Sequence, residues 1–177
     1  MQTNFFTENG HEIEKEISES LSRIWDIAED STPTIWTTAV NTILSTTAKQ
    51  NDRKYFTASK LRTCENHEWL YDFVWYDNNE FGLNDVYLVV ESEWKNPWGN
   101  EDYSYDIQYD FEKLILARSI YKLMIFEGDN LDENSQYLDT LKKIVINCKL
   151  TRKGDRYMFA AWDKDKQEFY FDLQIAD

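Results

Sequence analysis

The chain is poor in the residues that break, staple or ligate. Five glycines and two prolines in 177 residues exclude a loop-rich or fibrous protein. The two cysteines, Cys64 and Cys148, lie far apart without CxxC or Cys/His spacing. They give neither a zinc ribbon nor a disulfide framework, and two reduced thiols in a cytosolic protein are the expectation. Gly-rich phosphate loops, G-x-S-x-G elbows and HExxH motifs are missing, which removes the enzyme classes built on them. The first residues show no basic region followed by an apolar run, and no apolar run is long enough to cross a bilayer. A cytoplasmic protein with no membrane partner is expected. Positive charge is also scarce: 19 Lys and Arg stand against 33 Asp and Glu, for a net charge of −14. A domain so acidic repels phosphates unless its basic residues cluster.

What is present is apolar and aromatic. Hydrophobic residues make up 42 % and aromatics 16 %, enough for one globular domain over residues 1–177 with a substantial core. Its organising stretch is Glu68-Trp-Leu-Tyr-Asp72-Phe-Val-Trp-Tyr76, a polar gap from Asp77 to Asp85, then Val86-Tyr-Leu-Val-Val-Glu91-Ser-Glu93-Trp94. Two aromatic, β-branched runs around Asn78-Asn79 and Gly82-Leu83-Asn84 read as a hairpin, with Asp72 mid-way along its first strand. Side chains alternate along a strand, so Glu91 and Glu93 share a face. Carboxylates in such a setting are costly to bury without a cation, and three of them on one hairpin suggest half a site for a hard divalent metal.

Around this hairpin the elements alternate. Ile13, Ile17, Leu21, Ile24 and Ile27 space an amphipathic helix from His11 to Asp30, and Pro33 opens a second from Thr34 to Lys49. Lys54 to Thr63 reads as the first strand. Past Glu93, Trp94-Lys95-Asn-Pro97-Trp98-Gly99 is a loop whose tryptophans either stack on bases or close the core, and Lys95 is taken to face away from Glu93. A helix from Asp106 to about Lys122 carries the stripe Ile107, Phe111, Leu114, Ile115 and Tyr121, with Lys113 beside it and Arg118 and Lys122 nearer its middle. Leu123 to Phe126 is a strand, Asp132 to Cys148 a helix, and Tyr157 to Ile175 a terminal hairpin. Thr151-Arg152-Lys153-Gly154-Asp155-Arg156 is the densest basic cluster. His67 is either a solvated turn residue or a base beside the site.

The order Asp72, hairpin, Glu91-Ser92-Glu93, then the helix with Asp110-Phe-Glu-Lys113-Leu-Ile resembles the PD-(D/E)XK nuclease superfamily. The resemblance covers about the middle third of the chain. It implies an α/β fold: a restriction-endonuclease-like αβββαβ core, a mixed central sheet flanked by helices, here with an N-terminal helix pair and a C-terminal β-hairpin. It also implies a metal-dependent nuclease in which Asp72 and Glu91 hold Mg²⁺ (or Mn²⁺). The metal would lower the pKa of a bound water and polarise a phosphodiester. Two departures are visible. No proline precedes Asp72, and Glu93 stands where the family usually has its lysine. Glu93 then becomes a further ligand or a base, and Lys113 the relocated lysine that steadies charge on the phosphate. Trp94, Trp98, Arg118 and Lys122 are the expected substrate contacts. By the same resemblance, Glu14, Glu16 or Glu19 of the first helix is a possible extra ligand, against a solvated acidic face.

Two other readings remain open. One is an inactive nuclease-like domain that binds a basic protein partner as an immunity or inhibitor protein would. The other is a purely structural network of Asp72, Glu91 and Glu93 with Arg118 and Lys122. If Lys95, Lys113, Lys122, Arg152, Lys153 and Arg156 gather round the carboxylates, nucleic acid is the favoured partner. A uniformly acidic rim favours protein.

Overall fold

A computed structural model of the chain describes residues 9–24, 32–50, 56–60, 64, 66–67, 69–95 and 102–177. In chain order the elements are α1 (Glu12–Leu21), α2 (Pro33–Gln50), β1 (Phe56–Ser59), β2 (Phe73–Asn79), β3 (Gly82–Glu93), α3 (Tyr103–Leu116), β4 (Tyr121–Gly128), α4 (Leu131–Asn147), β5 (Arg156–Asp163) and β6 (Glu168–Ile175). The strands form one mixed sheet in the order β1-β2-β3-β4-β5-β6. β1 to β3 are an antiparallel meander, β3 to β5 run parallel, and β6 returns antiparallel on β5. The architecture is α/β, with a helix pair at one end of the sequence and a hairpin at the other. Among the described residues no helix is long and apolar enough to cross a membrane.

Strand alternation divides the core in two. Phe73, Trp75, Leu88, Val90, Leu123, Ile125, Met158 and Ala160 pack under α1 and α2 on one face. Val74, Tyr76, Val89, Met124, Phe126, Tyr157 and Phe159 pack under α3 and α4 on the other. β4 and β5 are covered on both sides and are therefore buried almost throughout. The parallel crossovers run through α3 and α4. Asp102 caps the first by accepting from Ser104 N at 3.1 Å, and Asn130 caps the second by accepting from Glu133 N at 3.0 Å.

Several expected boundaries move. The first helix ends at Leu21, with a turn to Ile24; the rest of its expected span, and parts of the first strand, lie outside the described residues. The hairpin turn is tighter than the polar gap suggested. β2 continues to Asn79 and β3 starts at Gly82, whose positive φ suits a residue without a Cβ. Asp72 sits just before β2 and not mid-strand. The largest correction is at α3. It stops at Leu116, Ala117 adopts an extended conformation, and the chain enters β4 at Tyr121. Arg118 and Lys122 are thus not helical.

The helix pair is tied to the sheet by a buried ion pair. Arg156 opens β5 and donates to Glu14 of α1 through Nε at 3.0 Å and Nη2 at 2.5 Å; Nη2 also donates to the Asn9 carbonyl at 2.8 Å. Glu14, considered above as a ligand, is 1 % exposed and also accepts from His11 N at 2.7 Å. Glu14→Ala should lower stability by about 3–5 kcal/mol, because it leaves a guanidinium buried without its counter-charge. Urea denaturation checks this; a loss below about 1 kcal/mol would mean that Arg156 finds water or another partner.

Candidate functional site

Alternation puts Glu91 and Glu93 on the α3 face of β3, at the carboxyl end of the parallel strands. The helix above them is fixed in place. Tyr103, in its first turn, donates to the Glu93 carbonyl at 2.8 Å and accepts from Glu127 N at 2.9 Å, so it clamps α3 to the ends of β3 and β4. Ile107, Phe111, Leu114 and Ile115 then bury the inner stripe. Asp106, Asp110 and Lys113 follow at helical spacing along one flank. Lys113 Nζ stands 2.7 Å from Asp110 Oδ1 and 3.2 Å from Glu91 Oε1, an oxygen otherwise buried without a hydrogen-bond partner. Asp72 enters from the start of β2, where its Oδ2 accepts from both Ser92 N at 3.0 Å and Ser92 Oγ at 2.8 Å.

The electrostatics follow from one ammonium among several carboxylates. Burial first, then the Asp72 charge, push Glu91 up to about 8 despite Lys113. Burial, then the charge of Asp110 and a side-chain hydrogen bond with it, push Glu93 up to about 8 as well. The Tyr71 phenol is raised by burial and by the Glu91 charge. Burial works against the Lys113 cation, but Asp110 and Glu91 outweigh it and hold the ammonium charged well above its ordinary range. Asp110, the nearer carboxylate, takes most of that cation, which leaves the proton to Glu91.

The structure brings together Asp72, Glu91, Glu93 and Lys113, and it adds Asp106 and Asp110. Asp110 stands three residues before Lys113 and Asp106 four before Asp110, and that helical spacing is the usable signal for both. The expected substrate contacts do not join them. Trp94 is 4 % exposed and lies on the other face of the sheet, with its ring centroid 5.0 Å from that of Trp36, so it closes the core. Lys122 is 1 % exposed and pairs with Asp155 at 3.2 Å at the amino end of β4. Arg118 is exposed at that same far end. Trp98 lies outside the described residues. Lys95 is two residues past Glu93 and so returns to the glutamates' face, contrary to expectation. It bonds to Glu133 at 2.7 Å and Asp129 at 3.0 Å, and is not free to replace the missing lysine. His67 is exposed and touches none of the carboxylates through a described bond. Of the six basic residues expected around a nucleic-acid site, Lys113 alone is in contact with the cluster.

Every donor in the cluster is a hard oxygen, as Mg²⁺ or Mn²⁺ requires. Among the described residues no group of three or more His, Cys, Asp or Glu side chains converges as a ready-made metal site. A magnesium ion that keeps most of its water needs only one or two carboxylates, which this cluster supplies, and its charge would offset the surplus. No protein-family model matches this chain, and no curated protein matches it significantly.

The shifts fix a pH dependence. Between the ordinary glutamate value of 4.5 and about 8, the folded chain keeps protons on Glu91 and Glu93 that the unfolded chain has lost. The unfolded state binds fewer protons there, so stability is fully present at the acidic edge of this window and is lost as pH rises through it. The melting temperature of the metal-free protein should therefore fall from about pH 5 to about pH 8, and the fall should flatten in Glu91→Gln/Glu93→Gln. An unchanged slope in the double variant would assign the titration elsewhere.

Proposed function

We propose that the chain is a metal-dependent nuclease of the PD-(D/E)XK type, hydrolysing phosphodiesters at the Asp72–Glu91–Glu93 cluster. The observation that carries this is the meeting of Lys113 with Glu91 from a helix that follows the hairpin. Here the buried or half-buried carboxylates outnumber the one cation in contact with them. The element order α2-β1-β2-β3-α3-β4, with β3 parallel to β4 and helices on both faces, is the order this reading requires.

Asp72 and Glu91 would hold Mg²⁺, which when bound supplies a water of lowered pKa and polarises the phosphodiester. Asp72 is held for that purpose by its two hydrogen bonds from Ser92, which fix one carboxylate oxygen and leave the other available. Glu93, raised to about 8 in the metal-free protein, would serve as base for the attacking water only once ionised, above about pH 8 or with a cation offsetting the neighbouring carboxylates. Lys113, charged throughout the accessible pH range, faces the phosphate oxygens on which charge develops. Burial under α3 strengthens each of these interactions relative to water.

Calorimetry with Mg²⁺ and Mn²⁺, followed by hydrolysis of single- and double-stranded DNA and RNA, tests the proposal. Wild type should bind metal with proton release, since the raised glutamates must ionise, and Asp72→Asn/Glu91→Gln should not bind. Lys113→Ala should lower kcat by about 10²–10³-fold while metal binding persists. No binding by wild type at millimolar metal overturns the proposal.

A second reading is favoured by a different observation: Asp106 and Asp110 extend the acidic surface, and Lys113 is the cation in contact with it. That surface suits a basic protein partner. In that case a lysine-rich peptide binds in a salt-sensitive manner and competes with no nucleic acid.

A further inference from the structure

The other end of the parallel strands carries the opposite charge. There, where α3 hands over to β4 and where β5 begins, a cavity of about 300 Å³ opens between residues 115–119 and Leu150, Arg152 and Asp155. Asp155 is its only carboxylate, and it is fully engaged. Oδ1 holds Lys122 Nζ at 3.2 Å, while Oδ2 accepts from Arg152 N at 3.0 Å and from Tyr157 Oη at 3.2 Å. The guanidiniums of Arg118 and Arg152 take no ion pair among the described residues, and both side chains are exposed. Two guanidiniums and one engaged carboxylate thus line the cavity, in a chain whose net charge is −14. The Arg152 charge is felt inside, where it helps lower the buried Lys122 ammonium, after burial itself. Ser119 adds a buried hydroxyl without a hydrogen-bond partner, beside a carbonyl that accepts from Lys122 Nζ at 3.0 Å.

We propose that this cavity binds a small phosphomonoester carrying an apolar ring, a ligand of mononucleotide size. Two guanidiniums offer planar forks of donors that match phosphate oxygens, and no carboxylate at the site is free to satisfy them. The lining also carries apolar surface: Leu116 and Leu150 border the cavity and are 67 % and 59 % exposed. The volume is at the small end of ligand pockets, enough for a phosphate and one ring system but not for a macromolecular segment. The site is separate from the carboxylate cluster, because Arg118 and Asp155 precede the parallel strands whereas Glu91 and Glu93 end one. It therefore stands or falls independently of the nuclease reading.

Calorimetry in metal-free buffer, with inorganic phosphate, adenosine 5′-monophosphate and adenosine as probes, tests it. The monophosphate should bind most tightly, phosphate more weakly, and adenosine not measurably. Arg118→Ala/Arg152→Ala should weaken both phosphate probes at least about tenfold, since each charged hydrogen bond lost is worth a factor of that order. Arg118→Lys/Arg152→Lys should recover part of that loss. Leu116→Ser/Leu150→Ser should weaken the monophosphate but not phosphate. All four substituted side chains are exposed, so the variants should keep the wild-type melting temperature, which is measured alongside. Absence of binding by both phosphate probes at millimolar concentration overturns the proposal. So does binding that the double alanine variant leaves unchanged, or adenosine binding as tightly as its monophosphate.

Discussion

One ammonium serves a group of carboxylates beneath α3, and the chemistry of that end of the molecule depends on the shortage. Two like charges about 4 Å apart at a partly buried site repel by about 4 kcal/mol, so the carboxylates cannot all ionise together without added positive charge. Lys113 satisfies Asp110 first and Glu91 in part. Protons or a cation must supply the remainder, and the raised glutamates record the proton solution. The arrangement is costly, and it persists because the surrounding packing leaves it no escape. The Tyr103 clamp and the stripe Ile107, Phe111, Leu114 and Ile115 hold α3 where its charged flank must face the sheet. A site of this kind belongs at the carboxyl ends of parallel strands, where side chains and loop ends converge outside the hydrogen-bonded ladder.

Elsewhere the protein settles its charges differently. Glu14 with Arg156, and Asp155 with Lys122, are buried pairs in which each cation meets a single carboxylate and further hydrogen bonds. Such pairs rarely add net stability over an apolar equivalent, but they define register: one fixes α1 on β5, the other fixes the entry of β4 against that of β5. The contrast with the α3 cluster is informative. These two pairs balance charge one for one, which the carboxylates around Lys113 do not.

How much of this was legible in the sequence depended on which periodicity was in force. The hairpin, the helix after it and the terminal hairpin follow from runs of apolar residues at spacings of two or three to four, and the α/β class from the resemblance these elements carry. The Glu91–Glu93 pair followed from the period of two, and so did the fate of Trp94: the rule that unites residues 91 and 93 sends residue 94 to the opposite face, into contact with Trp36. Lys95 then returns to the first face, where it meets Glu133 and Asp129. Arg118 and Lys122 fall outside the observed helix for another reason. The apolar run from Leu114 to Phe126 suits a helix as well as a doubly covered parallel strand, and no proline or glycine marks the break at Ala117. The break is tertiary in origin, since β4 must lie between β3 and β5. Asp106 and Asp110 come close enough to raise Glu93 because Tyr103 fixes α3 through bonds to two strands distant in sequence.

A net charge of −14 invites the conclusion that the surface repels every anion, but the arrangement of charges argues otherwise. Screening in ordinary salt confines an exposed charge to roughly 10 Å, so an anion responds to its immediate surroundings and not to the total. At the amino ends of β4 and β5 those surroundings are Arg118, Arg152 and the paired Lys122; at the carboxyl end of β3 they are Asp72, Asp106, Asp110, Glu91 and Glu93 around Lys113. The strand direction shared by β3, β4 and β5 separates the two environments along one axis. α3 connects them, running from the acidic end at Tyr103 to the cavity wall at Leu116. The cavity wall and the lysine that meets Glu91 thus belong to one helix. Any shift of α3 along its axis would change how one ammonium is divided between Asp110 and Glu91, and with it the charge available at the other end.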